Sequence, residues 1–166
     1  MEYKVKDVVK VIEDFAPLSL QEGWDNSGLC IGSPDSPVTS VLFGLDCTPE
    51  LVDEAVACGA DMIVTHHPLI FSGLKKISPD NPVGEAVIKA IRAGISIYAA
   101  HTSADKVIAG VSGAMTARLG LVNVSILDGE GTMNGQTVKK GDHLLLTANF
   151  GELNVEGNLE FFYSHI

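Results

Sequence analysis

"DMIVTHHPLIF", Asp61 to Phe71, runs from an apolar stretch straight into two adjacent histidines and a proline. Met62, Ile63 and Val64 read as a strand buried on both faces. Such strands ordinarily stop on turn formers, whereas this one stops on His66 and His67, whose neutral imidazoles are ligands for zinc and other first-row metals. Neighbouring residues on a regular strand point to opposite faces. The two rings therefore share one site only if the pleat breaks, for which Pro68 supplies a reason, or if they serve two cations a few ångströms apart. In the plain structural alternative, one ring packs and the other caps a loop.

The flanking sequence sets this strand in an α/β grammar. Upstream, "SVLFGLD" is a short buried strand ending at Asp46. "TPELVDEAVACG" then carries the marks of a helix: Thr48 to cap, Pro49 at the first helical position, Glu50 at the positive end and Gly59 to close. Downstream, "NPVGEAVIKAIRAG" is a helix stopping near Gly94, "ISIYAAH" a third strand ending at His101, and "GVSGAMTARLG" a last helix. Near the start, Val5, Val8, Val9, Ile12 and Phe15 recur at helical spacing, and Pro17 ends that helix. "EGWDNSGLCIG" and "SPDSP" read as one loop reaching Pro37. Alternating strands and helices predict an α/β unit with a mostly parallel sheet and flanking helices. In such sheets ligands gather outside the carboxyl ends of the strands, and Asp46, His66, His67, His101 and Asp105 all fall there.

The grammar changes after this. Beyond Ile126 there is no helical period. Asn134-Gly135 is a hairpin signal, Lys140-Gly141-Asp142 and Glu156-Gly157-Asn158 are further turn candidates, and Leu153, Val155, Leu159, Phe161 and Tyr163 mark apolar alternation. The expectation is two parts: residues 1–122 as the α/β unit and residues 126–166 as a short antiparallel β-meander tail of three or four strands.

Composition narrows the function. At 166 residues with 19% charged residues, the chain is long enough for a real core. A formal net charge of −10, with the Lys residues scattered, argues against nucleic acid. The three cysteines, Cys30, Cys47 and Cys58, form no C-x-x-C and fit reduced thiols in a cytoplasmic protein. No apolar run approaches the ~18 residues of a membrane span. Charged residues at Lys4, Lys6, Asp7 and Lys10 argue against a signal peptide.

Each candidate has a plain reading too. "HTSAD" sets His101 and Asp105 four apart after a buried strand, a weak metal signal alone and a stronger one beside H-H-P. Asp46 reads first as a helix cap and second as a partner behind the ligands. On residue chemistry alone, Asp25 and Asn26 are turn formers and Trp24 a core anchor. His143 and His165 read as structural.

"EGWDNSGLCIG", "GLDCTPELVDEAVACGADMIVTHHPLIF" and "ISIYAAHTSAD" followed by "GV" resemble, in order, the N-terminal half of the Nif-three-like family, also called GTP cyclohydrolase I type 2 homologues; the match covers about residues 3–121. The resemblance implies an α/β fold, toroidal homo-hexamers and a dinuclear centre of divalent metal ions, whether zinc, iron, manganese, nickel or magnesium. It implies that His66 and His67 are the paired histidine ligands, that Asp105 contacts the metals, that His101 lies beside them, and that Asp25 and Asn26 belong to a W-D-N element near the site. The activity commonly assigned to the family is metal-dependent hydrolysis of a nucleotide-like small molecule. Members also carry a G-H-x-x-x-E motif in a second half, which is absent from this sequence. The tail instead resembles the C-terminal β segment of type I mannose-6-phosphate isomerase, without that enzyme's zinc ligands, so the chain reads as a composite. Three functions follow: a metal-dependent hydrolase with an incomplete site, a non-enzymatic metal-binding or assembly module, and an isomerase fragment.

Overall fold

The strand that runs into the histidine pair lies in the interior of a four-stranded sheet, in a computed structural model that describes residues 3–107, 109–120, 122–146 and 151–164. The chain divides into two compact units, Met1–Val107 and Ile108–Ile166. In the first, the order is β1 (Tyr3–Lys4), α1 (Val5–Phe15), a 3₁₀ turn (Leu18–Leu20), β2 (Gly28–Ile31), β3 (Pro37–Val38) and β4 (Val41–Gly44). It continues with α2 (Pro49–Cys58), β5 (Met62–Thr65), α3 (Pro82–Ala93), β6 (Ser96–Ala99) and α4 (Thr102–Asp105).

The sheet order is β2-β6-β5-β4. Strands β4, β5 and β6 are parallel, while β2 runs antiparallel along β6 with Gly28 opposite Ala99. Burial follows the two-residue period of a strand. Met62, Val64 and Tyr98 pack with Val5, Val8, Val9 and Ile12 of α1, whereas Ile63 and Ile97 pack with Val52 and Ala55 of α2 and Ala86, Val87 and Ala90 of α3. Two covered faces explain why the inner strands read as continuous apolar runs. Tyr98 places its hydroxyl against Glu13, so its polar tip is met within the core.

Helix ends follow local chemistry. Thr48 accepts from Leu51 N–H at 3.2 Å and Asn81 accepts from Gly84 N–H at 2.9 Å, each with a proline at the start of the helix behind it. Gly59 and Gly94 close α2 and α3 at φ 72° and 70°, a region that L side chains enter only at a cost.

Two elements beside the histidines differ from the sequence reading. The stretch read as one long loop contains β2, four residues bounded by Gly28 and Gly32. Turn formers on either side hide so short a strand, and its pairing to β6 comes from tertiary contact. A further helical turn, α4, follows His101 and carries Asp105.

The second unit holds α5 (Val111–Leu119), β7 (Val122–Met133), β8 (Gln136–Lys139), β9 (His143–Leu146) and β10 (Val155–Ser164). The division at Val107 assigns α5 to this unit and lies upstream of the boundary expected at residues 122–126. All strand pairings here are antiparallel: β10 and β8 flank β7, and β9 also pairs with β7. Asn134 and Gly135, both at positive φ, make the β7–β8 turn. Glu156-Gly157-Asn158 is not a turn but part of β10, where Gly157 lies against Gly131 of β7 so closely that a Cβ would meet the Gly131 Cα at 2.7 Å. Val124, Ile126, Met133 and Val138 form this unit's own core, with Leu153, Leu159 and Phe161 packed on it. The side chain of Tyr163 and all of His165 lie outside the described residues. Among the described residues no helix is long and apolar enough to cross a membrane.

Candidate metal centre

Three strand ends and one antiparallel neighbour assemble this site. Regular pairing of β5 stops at Thr65, so the pleat does not dictate where His66 and His67 point. Their backbone N–H groups instead donate to Gly44 O (3.3 Å) and Leu45 O (3.0 Å), and the Thr65 hydroxyl donates to His67 O at 2.9 Å. This turn brings the two rings to one side, with centroids 4.9 Å apart. His101, two residues beyond β6, places its ring 5.2 Å from His66 and 5.6 Å from His67. A potential ligand atom from each of the three lies within 4.8 Å of the others.

Each imidazole is held through the same nitrogen. His66 Nδ1 meets Ala100 O at 3.2 Å, His67 Nδ1 meets an Asp46 carboxylate oxygen at 2.7 Å, and His101 Nδ1 meets Asp25 Oδ1 at 2.9 Å. A carbonyl or ionised carboxylate only accepts, so Nδ1 carries the proton in all three rings. The lone pair then sits on Nε2, the tautomer in which metal-binding histidines are commonly held by their outer partners.

Asp25 is the most enclosed of these partners, its side chain fully shielded from solvent. Burial pushes its carboxyl upward, but donation from Thr102, His101, Ser27 and the Asn26 backbone outweighs this and holds it far below the usual carboxylate range. The Thr102 hydroxyl makes a short contact with Oδ2, joined by Thr102 N–H at 3.1 Å and the Ser27 hydroxyl at 2.8 Å. The antiparallel run of β2 explains the placement. Gly28 pairs with Ala99 at the carboxyl end of β6, so the residues just before Gly28 arrive beside His101.

The sequence candidates separate as follows. His66, His67 and His101 come together, and Asp105 Oδ2 lies 3.7 Å from His66 Nε2. Asp46 does not cap α2, since Thr48 does; its carboxylate holds His67. Asp25 is the acceptor behind His101 rather than only a turn former, and Asn26 ties its loop to the next by donating from Nδ2 to Ile70 O at 2.6 Å. Trp24 is not a core anchor: it is 61% exposed, with its ring 6.0 Å from that of Phe71. His143 meets the Ser125 hydroxyl at 2.8 Å within the second unit. Sequence reasoning missed Thr102 and Ser27 as Asp25's donors, because short hydroxyl residues carry no positional signal until β2 and β6 are paired.

Burial raises the thiols of Cys30 and Cys47, to about 11 and about 12 respectively, which makes both poor nucleophiles at neutral pH, and no cysteine joins the histidine cluster among the described residues. The chemistry of the site is therefore imidazole and carboxylate. Three imidazoles suit zinc, iron or nickel, and the carboxylate beside them adds a harder oxygen.

The chain is similar to known proteins. The chain is 41% identical over 140 residues to a protein of Clostridium acetobutylicum named GTP cyclohydrolase 1 type 2 homolog, covering 84% of this chain and 51% of that protein. A like-named protein of Clostridium perfringens is 40% identical over 125 residues, covering 75% of this chain and 48% of its own length. The chain thus spans about half the length of these curated relatives. Among solved structures, a Bacillus cereus protein related to NIF3 superposes with a TM-score of 0.69 at 35% identity, covering 75% of this chain and 38% of that one. A Staphylococcus aureus protein gives a TM-score of 0.70 at 38% identity, covering 79% of this chain and 37% of its own. The family described as Duf34/NIF3 (NGG1p interacting factor 3) matches residues 3–165, strands of the second unit included. The chain belongs to the Duf34/NIF3 family.

Proposed function

We propose that His66, His67 and His101, with Asp105 alongside, hold a divalent first-row metal ion and that the site hydrolyses a nucleotide-like or phosphate-containing small molecule. The observation carrying this reading is the convergence of three rings, each meeting an acceptor through Nδ1. When bound, the metal would polarise the substrate and lower the pKa of a water toward neutrality. The chain's residues do the rest. Asp46 and Asp25 orient two rings, and the low-lying carboxyl of Asp25 keeps its negative charge throughout, so His101 retains its tautomer. Asp105, part-exposed with Oδ2 3.7 Å from His66 Nε2, would add a carboxylate oxygen to the three imidazoles around the metal.

A non-enzymatic metal-binding or assembly module is the second reading. It requires only the three converging imidazoles and no bound substrate. The isomerase reading of the tail is weakened, because the family match runs through the same strands. A cytoplasmic setting and no nucleic-acid partner, supported by three free cysteines and the net charge of −10, complete the proposal, together with assembly into further copies and no membrane partner.

Elemental analysis of purified protein, dialysed against a weak chelator, tests the metal. We expect His66→Ala, His67→Ala, His101→Ala and Asp105→Ala each to lower the metal content. Equal content in wild type and a triple mutant of His66, His67 and Asp105 overturns the proposal. Turnover of a panel of nucleotides and phosphate esters with added metal separates hydrolase from module.

A further inference from the structure

Beside the histidines stands an aromatic pair that the metal reading does not use. Trp24 is 61% exposed and Phe71 51% exposed. Their rings lie 6.0 Å apart at 50°, and each meets His101 edge-on, at 6.2 Å and 6.3 Å. Large apolar rings left in water on two different loops are poor economy unless something covers them. These loops are tied to each other, since Asn26 Nδ2 donates to Ile70 O at 2.6 Å, immediately before Phe71. The loop carrying Trp24 is anchored again where Glu22 N–H donates to the Thr102 hydroxyl at 3.0 Å. The pair is therefore held in place beside His101.

We propose that Trp24 and Phe71 form a stacking platform for a flat heteroaromatic ring of the small-molecule substrate, with the ring's charged or hydrolysable substituent directed to the histidines. The inference rests on the proposed function for what lies at the histidines, but the platform itself stands on its own geometry. The polar groups nearby decide between a flat ring and a hydroxyl-rich sugar. Asp25 is taken by Thr102, His101 and Ser27; Asn26 Nδ2 by Ile70; and Glu22 by Lys106 at 2.7 Å. A sugar would have to displace these bonds, whereas a flat ring needs only the face of one aromatic side chain, with the other, tilted 50° to it, against the ring's edge. Stacking of a nucleobase on an aromatic side chain contributes about 1–3 kcal/mol, or roughly 5- to 150-fold in affinity.

The chain has one tryptophan, so intrinsic fluorescence excited at the indole band reports on Trp24 alone. Adenosine 5′-monophosphate and ribose 5-phosphate share the sugar and phosphate and differ in the base. We expect saturable quenching by the first, little by the second, and binding of the first weakened about fivefold or more by Phe71→Ala. Equilibrium dialysis extends the test to variants without the reporter: Trp24→Ala should lose binding by a similar or larger factor, and Trp24→Tyr should restore most of it. Equal binding of the two probes, no binding of either, or indifference to Trp24→Ala would each overturn the platform. Metal content is measured on the same samples. Loss of base preference with metal retained sinks the platform alone, and base-dependent quenching in a chain that takes no metal sinks the metal reading alone.

Discussion

Asp25→Ala should be among the most costly substitutions in the first unit. The Asp25 side chain is fully buried and accepts from Thr102 N–H, His101 Nδ1, and the Thr102 and Ser27 hydroxyls. The hydroxyls can turn toward other acceptors and the exposed Asn26 N–H, which donates to Oδ1 at 2.7 Å, can turn to water, but Thr102 N–H and His101 Nδ1 cannot. A buried donor left without an acceptor costs about 1–3 kcal/mol, so two give about 2–6 kcal/mol. Water entering the space once filled by the carboxylate brings the expectation to the lower half, about 2–4 kcal/mol, a large fraction of the ~5–15 kcal/mol that holds a typical domain together. Urea denaturation of chelator-treated protein should show a lower midpoint with an unchanged slope. Asp25→Asn keeps one acceptor oxygen but turns an amide N–H₂ toward donors, so it should fall between alanine and wild type. Freed from its acceptor, His101 loses its fixed tautomer, and metal affinity should drop about 10- to 100-fold. A stability change under about 0.5 kcal/mol together with unchanged zinc affinity in a competition titration would show that the buried carboxylate does neither job.

Four further outcomes are expected. Gly84→Ala should destabilise by about 1–3 kcal/mol despite alanine's better helix propensity of ~1 kcal/mol, because the new Cβ collides with the carbonyl oxygen of Ser78; a thermal melt at or above wild type would refute the packing account. Asp61 accepts from Thr39 N–H (2.7 Å), the Thr39 hydroxyl (2.8 Å) and Ser40 N–H (3.2 Å), which depress its carboxyl below the usual value, so its stabilisation is present above about pH 4 and is lost as pH falls through the folded value. Asp61→Ala should cost about 1 kcal/mol at neutral pH and nothing once wild-type Asp61 is protonated in both states, read from denaturation midpoints between pH 7 and 2; a constant gap across that range would contradict it. The protein should not convert mannose 6-phosphate to fructose 6-phosphate, and robust conversion by a preparation cleared of contaminating isomerase would reverse that expectation. Limited proteolysis with mass spectrometry should cut first near residues 106–110, where the two units divide, and early cleavage at 122–130 instead would favour the later boundary.

What the sequence could convey, and what it could not, follows from the range of each interaction. Caps, closing glycines and the apolar period act within a few residues, so α1, α2 and α3 were legible from "VKDVVKVIEDF", "TPELVDEAVACG" and "NPVGEAVIKAIRAG", and the parallel strands from "SVLFGLD", "DMIVTHH" and "ISIYAAH". The convergence of His66, His67 and His101 was also legible, because parallel strands joined by helices set their carboxyl ends side by side. The role of Asp25 depends on β2 reversing against β6, a pairing across some seventy residues that no local pattern announces. Gly157 misled for the opposite reason. Glycine between glutamate and asparagine is good turn chemistry, yet here its missing side chain serves the close approach of two strands.

Strand β7 has an unequal pair of edges. One is shared by β8, opposite Glu130–Met133, and β9, opposite Val122–Ser125. The other is covered along nearly its whole length by β10 alone, from Met133 opposite Val155 to Asn123 opposite Ser164. A ribosome makes β7, β8 and β9 before β10 and adds roughly 5–20 residues each second, so for a moment every nascent chain displays a long bare template for strand addition. A chain cut short before Val155 would keep that template permanently. Such a product should accumulate in inclusion bodies rather than in solution, and supplying β10 as a separate peptide during refolding should rescue it.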